Sequence, residues 1–264
     1  MALSWSDRRK YMYLTVFGAI GVALLCWAYF SFIYHAPTCF DGFKNGSEIG
    51  VDCGGSCALL CKNQTREPSV AWARSFLTVS AASTTSVAGE KTNNIYTAAA
   101  YIQNTNLTAG ARKAAYSFQL FDAKNQLIIE RNGVTDLPPL PVIPVIETNI
   151  PTGTRVIART LFAFSALPTW TSVAPDSLPA IDVSRQVLAA DGSRLTLTLE
   201  NNTVKDISNI IVGGVLFDGD GVALAASKSL ITSLPRKSSQ NVTLTWPLGV
   251  PGVVRAEITV LPSF

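Results

Sequence analysis

Cys39, Cys53, Cys57 and Cys61 fall within 23 residues and are the densest reactive chemistry in the chain. Cysteine at that density means thiolate ligands for a metal, a redox dithiol, or disulfides. The spacing is C-x13-C-x3-C-x3-C. It lacks the C-x2-C knuckles of structural zinc sites and the C-x-x-C of thiol oxidoreductases. The count is even, and the Gly/Asp/Asn-rich stretch around it is too short for a hydrophobic core of its own, so two disulfides are expected. Three pairings are open. Between the cysteines run Asp41, Asn45, Glu48 and Asp52, oxygen donors at three- or four-residue steps. Calcium takes such ligands, and a calcium ion at these four residues is one reading. The pattern is not that of an EF-hand loop, and Asp-Gly and Asn-Gly pairs also build ordinary tight turns, which is the other.

Little else in the chain could do covalent chemistry. His35 is the only histidine, which excludes Ser-His and Cys-His catalysis in the remainder. Ser227 and Lys228 are neighbours, but on a strand they point to opposite faces. Acidic residues lie mainly at turn signals such as Asp218-Gly-Asp220-Gly. There is no phosphate-binding loop and no dinucleotide fingerprint. No enzymatic activity and no small-molecule substrate are expected. Net charge is +3, of which Asp7, Arg8, Arg9 and Lys10 together supply +2, so nucleic acid is not an expected partner.

The element that must position the cysteines precedes them. No charged residue occurs from Tyr11 to Tyr34, 24 residues that as a helix would span about 36 Å against roughly 30 Å of bilayer hydrocarbon. Trp5, Tyr11 and Tyr13 flank one end, and Trp27, Tyr29, Phe30, Phe32 and Tyr34 the other, as in an interfacial aromatic belt. Arg8-Arg9-Lys10 comes immediately before, and no Lys or Arg follows until Lys44. The positive-inside rule places the N-terminus in the cytoplasm and the rest outside, where disulfides form. A cleaved signal peptide would have a shorter apolar core and an A-x-A-like site. Leu24-Leu25-Cys26 lacks the small residue that lipoprotein acylation wants before the cysteine. The expected order is a cytoplasmic tail (1–10), a transmembrane helix (11–34), a Cys-rich juxtamembrane module (35–66) and two β-sandwiches (67–167 and 168–264).

The stretch Cys39-Phe-Asp41-Gly42-Phe-Lys-Asn45-Gly46-Ser-Glu48-Ile-Gly50-Val-Asp52-Cys53-Gly54-Gly55-Ser-Cys57 resembles a short cysteine module of bacterial and archaeal surface proteins, C-x-D-G-x-x-N-G-x-E-x-G-x-D-C-G-G-x-C. The resemblance implies an extracytoplasmic setting.

Beyond it the chain reads as all-β. Short runs rich in Val, Ile, Leu, Thr, Phe and Tyr alternate with Gly, Pro, Asn and Asp. Leu120-Phe121-Asp122 parallels Leu216-Phe217-Asp218 at an offset of 96, and Asn104 parallels Asn201 at 97. Ile150-Pro151 pairs with Leu234-Pro235 at 84, which implies a 12-residue insertion in the first copy. The proline-rich Pro138-Pro139-Leu140-Pro141-Val-Ile-Pro144 fills much of it. Two tandem copies of about a hundred residues suit immunoglobulin-like sandwiches. Phe118-Gln-Leu120-Phe121-Asp122 resembles the F-x-L-Y-D signature of the FxLyD family, with Phe in place of Tyr; the second copy keeps Leu216-Phe217-Asp218. The resemblance implies immunoglobulin-like β-sandwiches of envelope proteins and no catalytic residues.

The expected function is a membrane-anchored extracytoplasmic binding or scaffold protein, facing another envelope or surface protein or a glycan. The alternative is an accessory subunit of a secretion, pilus or cell-envelope complex. Pro138, Pro139, Leu140, Pro141 and Pro144 are the candidate contact segment. Trp246 is expected in a core, and Trp72 and Trp170, which open the two copies, at the domain junctions. Five N-x-S/T sequons start at Asn45, Asn63, Asn106, Asn201 and Asn241.

Overall fold

A computed structural model describes residues 5–34, 37–80, 93–174 and 178–263; His35 lies outside the described residues. The chain divides into two units, residues 1–57 and 58–264.

The first unit begins with an α-helix, α1 (Trp5–Ala28), that runs on as a π-helical turn at Tyr29–Ile33. None of its described side chains is buried. The 29 residues from Trp5 to Ile33 are long and apolar enough to cross a membrane. An apolar surface on every side suits a helix whose solvent is lipid. The rest of the unit is a chain of turns with an antiparallel bridge between Gly50 and Cys53.

In the second unit, period-two alternation sets the strands. In Arg194-Leu-Thr-Leu-Thr-Leu-Glu-Asn201, Leu195, Leu197 and Leu199 all turn inward and are fully buried. The first sandwich comprises β1 (Ser69–Val79), β2 (Ile95–Gln103), β3 (Ala109–Phe121), β4 (Leu127–Leu137), β5 (Val142–Pro151) and β6 (Arg159–Phe164), followed by the short β7 (Trp170–Ser172). The second comprises β8 (Asp182–Leu188), β9 (Arg194–Asn201), β10 (Ile207–Phe217), β11 (Ala223–Leu234), β12 (Ser238–Thr245) and β13 (Arg255–Leu261). The sheets are β1-β2-β5 and β4-β3-β6 in the first, and β8-β9-β12 and β11-β10-β13 in the second. Neighbouring strands in these sheets are antiparallel, and the second sandwich repeats the strand order of the first.

The repeat extends to hydrogen bonds. Asp122 N donates to Gln126 O, and the Asp122 carboxylate accepts from Lys124 N and Gln126 N. Asp218 N donates to Val222 O, and its carboxylate accepts from Asp220 N and Val222 N. Asn125 and Gly221 hold the matching positive φ, 57° and 76°. Asn104 and Asn201 are both buried and both use their amides to tie down carbonyls of the next Leu-Pro step, at Pro138 in one copy and at Leu234 and Pro235 in the other.

That last match corrects the expected alignment. Pro235 corresponds to Pro138, and Arg255 pairs with Phe217 as Arg159 pairs with Phe121, so the offset stays at 96–97 throughout. There is no 12-residue insertion; a second apolar-Pro pair, Ile150-Pro151, mimicked the true one. The sandwich boundary shifts too. β7 pairs with β3, which places Trp170 in the core of the first sandwich and not at the opening of the second.

The sandwiches are fused. The outward face of β1-β2-β5 packs on the outward face of β11-β10-β13 through Ala99, Tyr101, Ile146, Val215, Phe217, Ala223 and Ala226, with Trp72, Phe76 and Val142 at the margin. Over residues 96–102 and 212–217, β2 and β10 are therefore covered on both faces, and there each reads as a run of apolar or small residues. Gly213 and Gly214 fit this layering. A Cβ on Gly213 would lie 3.3 Å from Pro144 of the first sandwich, and one on Gly214 would lie 2.4 Å from Leu244 of its own core.

Candidate functional sites: the cysteine module and the sandwich seam

All four cysteines of the module are disulfide-bonded, as expected. Cys39 joins Cys57 with an S–S distance of 2.03 Å and Cα atoms 5.6 Å apart. Cys53 and Cys61 are oxidised as well, which makes two bridges in all. Sulfurs so engaged are not thiolates, so the proximity of Glu48 to Cys39 and Cys57 does not make a metal centre.

Asp41, Asn45, Glu48 and Asp52 are brought together; the carboxylates of Asp41, Glu48 and Asp52 cap turns, while Asn45 donates its amide to Asp41 and its buried Oδ1 has no hydrogen-bond partner. Asp52 accepts from Asp41 N at 3.0 Å and Gly42 N at 3.0 and 3.1 Å. Asp41 accepts from Phe43 N, the Asn45 amide (both 2.9 Å) and Thr38 N (3.1 Å). Glu48 accepts from Asp52 N at 3.2 Å and Asn45 N at 3.4 Å. The Asn45 hydrogen bond, followed by that from Phe43, holds the Asp41 carboxyl below the ordinary carboxylate value. A calcium ion would have to displace these N–H groups, whose positive ends occupy the directions from which a cation would approach. Of the four donors, only the Asn45 oxygen is free of such an N–H group.

The proline segment joins β4 to β5. Pro138, Pro139 and Pro144 are buried, Leu140 is half-buried and Pro141 is exposed. Asn104 N donates to Pro141 O and Leu140 N to Pro138 O. Pro141 is thus the member that offers most surface to a partner.

Sequence reasoning placed Trp72 at a domain junction, where the seam has it, and missed the rest of the seam. Trp72 stacks on Tyr101 with ring centroids 4.6 Å apart and planes 18° apart. Phe217 meets both rings edge-on, at 6.4 and 5.9 Å. Tyr101 Oη donates to Glu257 at 2.7 Å, Glu257 pairs with Arg255, and the Arg255 guanidinium lies 4.7 Å over Phe217. Burial, and after it the Glu257 carboxylate, push the Tyr101 phenol far above its ordinary value. Tyr116 is raised in the same way, by burial and then by its hydrogen bond to Glu147. Both phenols keep their protons and act as fixed donors. The signal that could have revealed the seam is the pair of runs Ala98-Ala-Ala100 and Gly213-Gly214, small residues with no polar alternation.

At one end the seam opens into a cleft of about 410 Å³ lined by Phe76, Leu77, Ala225, Trp246, Leu248 and Pro251, among others. None of its lining residues titrates. The sequons divide by geometry. Asn201 is 0% exposed and its amide is fully engaged, while the amides of Asn45 and Asn106 hold Asp41 and Arg66 O. Asn63 and Asn241 are exposed.

No protein-family model matches the chain, and no curated protein matches it.

Proposed function

We propose that this chain is a membrane-anchored, extracytoplasmic binding or scaffold protein without enzymatic activity of its own, and that its sandwiches are immunoglobulin-like domains of the FxLyD type. The observation that carries the reading is the seam. Two sandwiches locked face to face form one stiff body, and the cleft at their junction carries no acid, base or nucleophile. Such a body can hold loops and sheet edges at fixed positions for a partner. Oxidised cysteines immediately after an apolar helix support an extracytoplasmic setting, and Arg8-Arg9-Lys10 supports a cytoplasmic N-terminus. The repeated Phe-Asp turn at the end of β3 and β10 supports the family reading.

Cross-linking in intact cells followed by mass spectrometry tests the proposal. Recurrent attachment of one envelope protein or glycan to sandwich residues is expected. Attachment confined to α1 or the cysteine module would make the protein an accessory subunit of a membrane complex instead. Turnover of a substrate by the purified full chain would refute the non-enzymatic reading.

A further inference from the structure

The cysteine module exposes more apolar surface than a segment of its size needs. Phe40 is 91% exposed, Val51 55%, Phe43 54% and Ile49 47%. These residues belong to two loops, 40–43 and 49–52, which the Asp52 carboxylate ties together by accepting from Asp41 N and Gly42 N. The acidic groups of the same loops turn their oxygens onto backbone N–H groups. Lys44, beside them, is exposed and is the first basic residue after the helix. An apolar tip whose carboxylates are engaged within the module, with one lysine able to reach a headgroup phosphate, is the chemistry of a segment seated at a lipid surface.

Chain length places the tip there. With Lys10 at one hydrocarbon boundary, about 30 Å of core takes roughly 20 residues at 1.5 Å each, which ends near Phe30. Phe32 and Tyr34 then lie at headgroup level, and the six residues from Tyr34 to Phe40 can span no more than about 20 Å. We infer that the paired loops of the cysteine module insert Phe40, Ile49 and Val51 into the headgroup region of the outer leaflet, with Lys44 at the headgroup phosphates. The module is then a lipid-facing foot as well as a staple. This rests on the membrane-anchor reading of α1.

The test places the photo-cross-linker p-benzoylphenylalanine, one position at a time, in the full chain reconstituted in phosphatidylethanolamine–phosphatidylglycerol vesicles. Positions 40 and 51 probe the foot, Phe17 probes mid-helix, and Val204, exposed on the second sandwich, is the solvent control. Mass analysis confirms that the Cys39–Cys57 bridge has formed in each variant. Lipid adducts are expected at 17, 40 and 51 and not at 204. Adducts at 17 alone would overturn the foot and leave the anchor standing. Adducts between copies of the chain at 40 or 51 would also overturn it, in favour of self-association. No lipid adduct at 17 would remove the anchor reading and the foot with it.

Discussion

Phe121 and Phe217 occupy the same place in the repeat, each at the end of a central strand beneath an arginine, with guanidinium distances of 4.9 and 4.7 Å. They differ in what covers them. Phe217 is buried in the seam against Trp72 and Tyr101, while Phe121 is half-exposed on the outer sheet. Truncating a fully buried Phe to Ala costs about 3–5 kcal/mol, from lost transfer energy and an unfilled cavity. At Phe121 the loss is a partly exposed ring and a solvent-side cation–π contact, about 1–2 kcal/mol together. Phe217→Ala should therefore cost about 2–3 kcal/mol more than Phe121→Ala. Urea unfolding of the full chain in detergent, followed by tryptophan fluorescence, measures both. Trp170 and Trp246 report the two cores and Trp72 reports the seam. Phe217→Ala should also move the Trp72 change to lower urea than the other two, because the seam opens first. Equal costs for the two variants, or one coincident transition in Phe217→Ala, would refute the claim that the seam couples the sandwiches.

Other residues give sharp tests. Gly133→Ala should destabilise by about 1–3 kcal/mol, because its Cβ would lie 2.5 Å from Tyr116 Oη, and adding Tyr116→Phe should recover part of the loss in the same unfolding assay. The Arg155 guanidinium, 2.8 Å from Asp122, and then the N–H groups of Gln126 and Lys124 hold the Asp122 carboxyl below its ordinary value. A lowered folded pKa means that the stabilisation is present above the unfolded value, about pH 4, and is lost as pH falls through the folded one. Arg155→Leu should raise the Asp122 pKa in a carboxyl NMR titration and shrink this acid-side loss. Replacing Cys39 and Cys57 together by Ser removes a cross-link between residues 18 apart, worth about 3 kcal/mol to the module. Limited proteolysis should then cut between residues 39 and 57, while tryptophan-monitored unfolding of the sandwiches is unchanged.

The parts of this structure that were legible in the sequence are those written in local chemistry. Leu195, Leu197 and Leu199 alternate with polar residues and face a core. Asp122 and Asp218 announce their hairpins, and an even set of cysteines in a glycine-rich stretch announces disulfides. What misled was degenerate or non-local. Leu137-Pro138 and Ile150-Pro151 both match Leu234-Pro235 as apolar-Pro steps, and the buried amides of Asn104 and Asn201, with the strand register, distinguish them. Trp170 looked like the opening of a second copy because β7 is three residues long, too short to carry a pattern. The seam depends on two strands more than a hundred residues apart being covered on both sides. The sequence shows that only as an absence of alternation, which a buried strand of any origin would share.

The central claim is a body held outside the cytoplasm by α1. In cells freed of any outer wall or outer membrane, a membrane-impermeant amine reagent followed by peptide mass spectrometry reads the topology at Lys10, Lys62, Lys124, Lys205 and Lys237 in one experiment. Label is expected at Lys62, Lys124, Lys205 and Lys237, with Lys10 protected until the membrane is opened. Label at Lys10 with the other four protected would contradict it.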